Sequence, residues 1–219
     1  NEPGSAEENE FVELTNISNN EIDLSNLTFS TGLTYTFPLN TILSPGGRLA
    51  IGTNDYEGSL DNAGENITLT DASGTIIESF NFDDTLPWPQ ASDGEGFSLV
   101  RISPSSQLDP NLPSSWRAST TVGGNPGGSD ATIFSGGDLI TYALQDKKLT
   151  PTKTGIKAPK NLAADDLIQE VQISTDLKNW ATLSDPTQES LPEDGFTIET
   201  YEVEPITQTT FYRLKVTIR

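Results

Sequence analysis

Short runs in which apolar and polar side chains alternate, each closed by a turn, constrain this chain more than any other feature. In Phe11-Val12-Glu13-Leu14, Val12 and Leu14 fall on one face. Ile22, Leu24, Leu27 and Phe29 follow around a Ser25-Asn26 turn, and Leu33, Tyr35 and Phe37 alternate with Thr34 and Thr36. Ser44-Pro45-Gly46-Gly47 turns the chain into Leu49 and Ile51; Ile67 and Leu69 lead to the loop Asp71-Ala72-Ser73-Gly74, and the chain returns from Ile76 to Phe82. Residues Phe97 to Ile102 form a further run. A period of two is the mark of a strand with one buried face. Turns spaced by about ten residues belong to an antiparallel sandwich rather than to βαβ units. The reading places one sandwich over residues 11–118, with Val12, Leu14, Leu24, Leu33, Tyr35, Phe37, Leu49, Ile51, Ile67, Leu69, Phe80, Leu99 and Trp116 inside.

The pattern breaks at Val122-Gly123-Gly124-Asn125-Pro126-Gly127-Gly128-Ser129-Asp130, where the glycines read as a flexible boundary. Beyond it, apolar residues at 139, 140, 143 and 144 predict a short amphipathic helix within Asp138–Lys148, with Asp138 as N-cap. Lys147 to Lys160 carries five lysines and two prolines and reads as a linker. Strand patterning then resumes through Val171 and Ile173, Phe196 to Val203, and Phe211 to Arg219, where Tyr212, Leu214, Val216 and Ile218 alternate with Arg213, Lys215 and Thr217. The predicted organisation is a front domain over 1–130, a helix and linker over 131–160, and a smaller β domain over 161–219 packed through Tyr212, Leu214, Val216, Ile218 and Trp180.

Charge and missing residue types narrow the chemistry. The chain holds 12 Lys+Arg against 32 Asp+Glu, a net charge of −20. Residues 1–130 contain only Arg48, Arg101 and Arg117 against 19 acidic residues. Nucleic-acid affinity comes from cations releasing condensed counterions, so this acidic front is a poor partner for it. The sequence has no Cys and no His. That removes disulfides, thiolate nucleophiles, Ser–His and Cys–His pairs and the usual zinc ligands. No stretch is apolar enough for a membrane span. The chain begins at Asn1, and it is read as a mature or excised piece of a secreted or cell-surface protein.

Several segments then resemble a known family. Glu10-Phe11-Val12-Glu13-Leu14-Thr15-Asn16, Ile22-Asp23-Leu24-Ser25-Asn26-Leu27, Tyr35-Thr36-Phe37-Pro38 and Leu43-Ser44-Pro45-Gly46-Gly47 resemble the bacterial lamin tail domain in order and spacing. Leu86-Pro87-Trp88-Pro89, Gly96-Phe97-Ser98-Leu99-Val100-Arg101, Trp116 and Gly123-Gly124-Asn125-Pro126-Gly127 extend the resemblance to about residue 130. It implies an immunoglobulin-like antiparallel sandwich, an exported location and a supporting, non-catalytic role. Members usually open with one strand more than Asn1 to Asn9 provides, so the leading edge is expected to be open or filled by another chain. From Asp138 onward, Ile140-Thr141-Tyr142-Ala143-Leu144, Ser174-Thr175-Asp176-Leu177-Lys178-Asn179-Trp180 and Phe211-Tyr212-Arg213-Leu214-Lys215-Val216 are similar to a C-terminal module of exported verrucomicrobia-like proteins.

The whole is therefore expected to be all-β, a sandwich plus a smaller mainly-β domain with one short helix. Its expected role is a structural or tethering module with no catalytic residue, no metal residue and no required cofactor, and with an unidentified protein, cell-surface or glycan partner. The alternative is a carbohydrate- or calcium-dependent binding module. Asp83, Asp84, Asp93 and Glu95 flank the Pro-bracketed Trp88 and supply oxygens of the kind calcium takes, though without an EF-hand spacing. Trp88 is either a stacking platform for sugar or a plug closing the end of the sandwich. A third reading is a hydrolase using paired carboxylates, which needs no histidine. Trp116 and Trp180 are assigned to packing.

Overall fold

The computed structural model describes residues 9–102, 108–203 and 209–219. The chain is mostly β-structure, in two compact units covering residues 1–129 and 130–219. Among the described residues no sheet combines strands of both units, and every pairing is antiparallel.

The first unit contains β1 (Phe11–Thr15), β2 (Ile22–Asp23), β3 (Thr28–Thr31), β4 (Leu33–Thr36), β5 (Ile42–Leu43), β6 (Arg48–Gly52), β7 (Glu57–Gly58), β8 (Asn66–Thr70), β9 (Ile76–Asn81), β10 (Phe97–Arg101) and β11 (Trp116–Val122). Five of these form one sheet in the order β7-β4-β3-β8-β9, and the others pair as β1-β6, β2-β5 and β10-β11. The alternation predicted from sequence is what joins them. Leu24, Phe29, Leu33, Phe37, Leu43, Ile51, Ile67 and Leu69 come from or adjoin strands of three of these sheets yet share one buried cluster, with Val12, Leu14, Tyr35, Leu49 and Phe80 packed at its margin. Phe37 is its centre, in edge contact with Tyr35 at 5.0 Å and tilted against Phe29 at 6.0 Å. Leu99 and Trp116, expected inside, are only half-buried.

The N-terminal turn of this unit depends on one side chain. Asn16 is 1% exposed and donates to the carbonyls of Asn20 and Leu43, both at 2.8 Å, while its Oδ1 accepts from the Ser18 amide and hydroxyl. Its backbone amide donates to Gly47 and its carbonyl accepts from Gly46. Asn16 thus ties the end of β1 to the Ser44–Gly47 turn and to β5. β1 pairs with β6 alone among the described residues. The leading-strand expectation concerns Asn1 to Asn9, which lies, but for Asn9, outside the described residues.

The Gly-rich segment is not a loose linker. The Gly127 amide donates to Glu13 at 2.5 Å, the carboxylate that also pairs with Arg48 at 2.6 Å. Gly124 has φ +67°, and a Cβ there would meet Ser98 Oγ at 2.3 Å and Phe11 Cζ at 3.3 Å. Glycine is therefore required for close approach, and the segment lies on β1 and β10 instead of swinging free. Gly124→Ala is expected to destabilise the first unit by about 1–2 kcal/mol, read as a lower urea midpoint at unchanged slope.

The second unit holds α1 (Leu139–Leu144), β12 (Thr150–Pro151), β13 (Gly155–Asn161), β14 (Leu167–Ser174), β15 (Ala181–Thr182), β16 (Gln188–Glu189), β17 (Phe196–Glu202) and β18 (Phe211–Ile218). Its two sheets run β12-β13-β17-β16 and β15-β14-β18. Ile156, Ala158 and Tyr201 of the first meet Val171, Tyr212 and Leu214 of the second in one cluster. Asp138 caps α1 as expected, accepting from the Thr141 amide at 2.7 Å, but the helix stops at Leu144 because Gln145 turns to φ 52°. In the Lys147–Lys160 segment read as a linker, the structure places β12 and most of β13, which is mostly buried and pairs along its whole length with β17. Its lysines hid an alternating strand, and Pro159 is tolerated because β12 borders only Ile156 and Lys157. Two packing assignments also change. Ile218 is 57% exposed, and Trp180 is not in either buried cluster of this unit.

Candidate functional site

The loop from Asp83 to Glu95 connects β9 to β10 and carries every side chain proposed from sequence for binding. Its interior is closed. Trp88 is 7% exposed, with its ring 6.4 Å from Trp116, and Trp116 lies 5.0 Å from Phe80. Trp116 is fixed from outside by Arg101 over its ring and by its Nε1–H bond to Pro110 at 2.8 Å. The Trp88 amide donates to Thr85, Gln90 Nε2 reaches back to Asp84 and Trp88 carbonyls, and Ser92 Oγ bonds Pro89. A ring used as a sugar platform needs an open face, and Trp88 has none; it plugs the loop.

The acidic residues around it stay dispersed. Asp83 Oδ1 accepts from the Thr85 hydroxyl and amide, at 2.5 and 2.7 Å, and these bonds hold its carboxyl below the usual carboxylate range. Asp93 and Glu95 are exposed and Asp84 is half-buried. Among the described residues no three acidic side chains come together in a way that would hold a metal ion. The set Asp83, Asp84, Asp93 and Glu95 offers calcium no assembled cage, since that ion takes six to eight oxygens on a converging backbone.

A buried acid that the sequence did not single out is structural. Glu10 accepts from Tyr56 Oη at 3.2 Å and from the Leu60 amide at 3.1 Å, tying the start of β1 to the segment after β6. Nearby Glu65 accepts from the Asp61 amide at 2.9 Å; burial, with Asp61 and Glu10 close by, raises its carboxyl above the usual value. A raised carboxyl favours the folded state when protonated, so this contribution is present at acid pH and is lost as pH rises through the folded-state value. Glu65→Gln keeps an acceptor for Asp61 and removes the charge. Its melting temperature is expected to exceed the parent's at pH 7, by an effect under about 1 kcal/mol for a group only half-buried, and to match it at pH 4.

The best-organised exposed polar array is on the second unit, where sequence reasoning placed only packing. On the outward face of β14 and β18, Lys215 pairs with Glu170 at 2.5 Å, and Glu170 also accepts from Thr182 at 3.0 Å. Gln172 donates to Thr182 at 3.2 Å and accepts from Arg213 Nε at 2.8 Å. The Arg213 guanidinium lies 4.2 Å from the Trp180 ring centre. Trp180 is set by the Ser174–Asn179 turn, in which Leu177 takes φ 61° and Asp176 accepts from the Asn179 and Lys178 amides. Those donors hold the Asp176 carboxyl far below its ordinary value. The readable signal was the polar half of the alternation in β18, Arg213, Lys215 and Thr217.

Residues 1–84 match the family model of the Lamin Tail Domain. The lamin-tail match spans β1 to β9 and encloses the buried cluster around Phe37. It stops before β10, so the resemblance drawn from residues 86–127 lies outside it, and the tail beyond residue 130 gains no support as a verrucomicrobia-type module. No curated protein and no solved structure matches the chain. The matched domain is a non-catalytic β module, and among the described residues no helix is long and apolar enough to cross a membrane.

Proposed function

We propose that this chain is a structural and tethering part of an exported or cell-surface protein, its lamin-tail region forming an immunoglobulin-type sandwich. The observation that carries the reading is the lamin-tail match laid over the hydrophobic cluster around Phe37. Supporting it, the loop that most resembled a binding or acidic site is closed over Trp88, and the titratable residues of the first unit serve to join segments, as Glu10 and Glu13 do. An acidic, cysteine-free surface suits a spacer that stays soluble without disulfides. The full chain fused to a fluorescent protein is expected to co-sediment with cell envelopes of its source and to show no turnover on a polysaccharide panel. Turnover, or a fusion that remains in the supernatant like the fluorescent protein alone, overturns the reading.

A further inference from the structure

Arg213, on the second unit, is held in place and left with bonding capacity at the surface. Its Nε is committed to Gln172, which is itself 7% exposed and fixed through Thr182 to Glu170. Its flat face lies on Trp180. The Nη1 and Nη2 groups have no acceptor among the described residues, and no carboxylate is paired with them. The nearest acid in the network, Glu170, is neutralised by Lys215, and the Asp176 oxygens are filled by the Lys178 and Asn179 amides, Asn179 Nδ2 and Ser174 Oγ. An exposed guanidinium with two uncommitted nitrogens and no paired carboxylate is open to an anion.

The geometry selects the kind of anion. A guanidinium presents parallel N–H bonds that match the two oxygens of a carboxylate or sulfate, and one already oriented loses little freedom on binding. Protein partners usually anchor large side chains in desolvated apolar hollows. The face around Arg213 is instead a sheet surface of amide, hydroxyl and charged groups, namely Gln172, Thr182, Glu170 and Lys215, with an indole beside them. Polar hydrogen-bonding groups bordered by one aromatic ring suit a sugar.

We propose that the outward face of the β15-β14-β18 sheet binds an anionic glycan, Arg213 taking one carboxylate or sulfate of a sugar residue through Nη1 and Nη2 beside the Trp180 indole. Gln172 is a positioning residue, since it aims the guanidinium without touching the ligand. This deepens the tethering reading and rests on it for its cellular meaning. The two fail separately, because envelope retention that survives Arg213→Lys removes this site and leaves tethering intact.

The test is a titration of the full chain, followed through the Arg213 Nε–H and Trp180 Nε1–H signals by NMR. The medium holds about 0.15 M salt, where the Debye length of about 8 Å screens the distant acidic surface. The probes are a galacturonate trisaccharide, a sulfated galactose tetrasaccharide, neutral cellotriose and a hexaglutamate peptide. The proposal expects both signals to move with the uronate or the sulfated sugar, the better of the two naming the anion, and to stay still with cellotriose. Arg213→Lys keeps the charge and loses the fork, and is expected to weaken binding at least tenfold while its β14–β18 amide pattern shows an intact sheet. Arg213→Met serves as a second variant should that pattern change. Immobile signals with both charged sugars, equal binding by Arg213→Lys, or a peptide response as strong as the sugars' overturns it, the last assigning the face to an acidic protein.

Discussion

Asn16→Ala is expected to destabilise the first unit by about 3 kcal/mol, because it strips partners from several buried polar groups at once. The Leu43 and Asn20 carbonyls lose their donor, and the Ser18 amide and hydroxyl lose their acceptor. An unsatisfied buried group costs about 1–3 kcal/mol, against about 1 kcal/mol for a hydrogen bond exchanged with water. Ser18 and Asn20 are near solvent and recover most of their loss, so Leu43 dominates. Asn16→Asp is the informative control. It keeps the acceptor for Ser18 but turns the donor to Leu43 into a second acceptor, so it is expected to be no better than alanine at pH 7. Thermal unfolding followed by far-UV circular dichroism checks both, and an alanine variant within about 0.5 kcal/mol of the parent removes Asn16 as the link between β1 and β5.

Replacing Glu199 is the second large effect. Glu199 and Lys160 are on inward-facing positions of β17 and β13, joined at 2.8 Å, and Tyr201 Oη donates to the other carboxylate oxygen at 2.6 Å. Burial pushes the Glu199 carboxyl up; the Lys160 charge and bond, with the Tyr201 bond, outweigh it and hold the group below its usual value. A lowered carboxyl contributes stability that is present above the unfolded-state value and is lost as pH falls through the folded-state one. The second unit is therefore expected to weaken below about pH 4.5, the ordinary range for a glutamate. At pH 7, Glu199→Leu leaves the lysine without its carboxylate. The cost of breaking a buried pair is about 3–5 kcal/mol, reduced here to about 2–3 because Lys160 keeps partial access to water. Pairing it with Lys160→Met is expected to restore most of the loss, since two apolar side chains avoid the desolvation of two charges. Additive losses in the double variant would show that the pair is not coupled, and a flat pH profile between 3 and 6 would show that Glu199 does not titrate as described.

Much of the first unit was legible because each apolar residue on an alternating strand faces the same side whatever it pairs with. Val12, Leu33, Phe37, Ile51, Ile67 and Leu69 reach one cluster for that reason. The Asp138 cap was legible too, since a carboxylate three residues before a free amide acts within one turn. The 147–160 segment was not. Two of its lysines, Lys157 and Lys160, sit on a strand whose Ile156, Ala158 and Lys160 turn inward, and Glu199, far along the chain, comes to meet Lys160 there. Composition marks such a segment as solvated when the partner that permits its burial is 39 residues away. The Trp88 loop was open in the sequence between a stacking platform and a plug. Aspartates next to a tryptophan look like a binding loop, yet Trp116, brought in by β11, fills the space against the ring.

The division follows from the range of the forces involved. Periodicity, turn chemistry, capping and the lack of Cys and His act locally or by composition, and they determined from sequence alone an all-β chain, its front core and the chemistries closed to it. Which polar groups are buried, paired or left open depends on strands distant in sequence meeting in register. Only the tertiary structure decided that Trp88 is a plug, that Gly124 is a contact rather than a hinge, and that β18 lays Arg213 over Trp180 with two nitrogens still unbound.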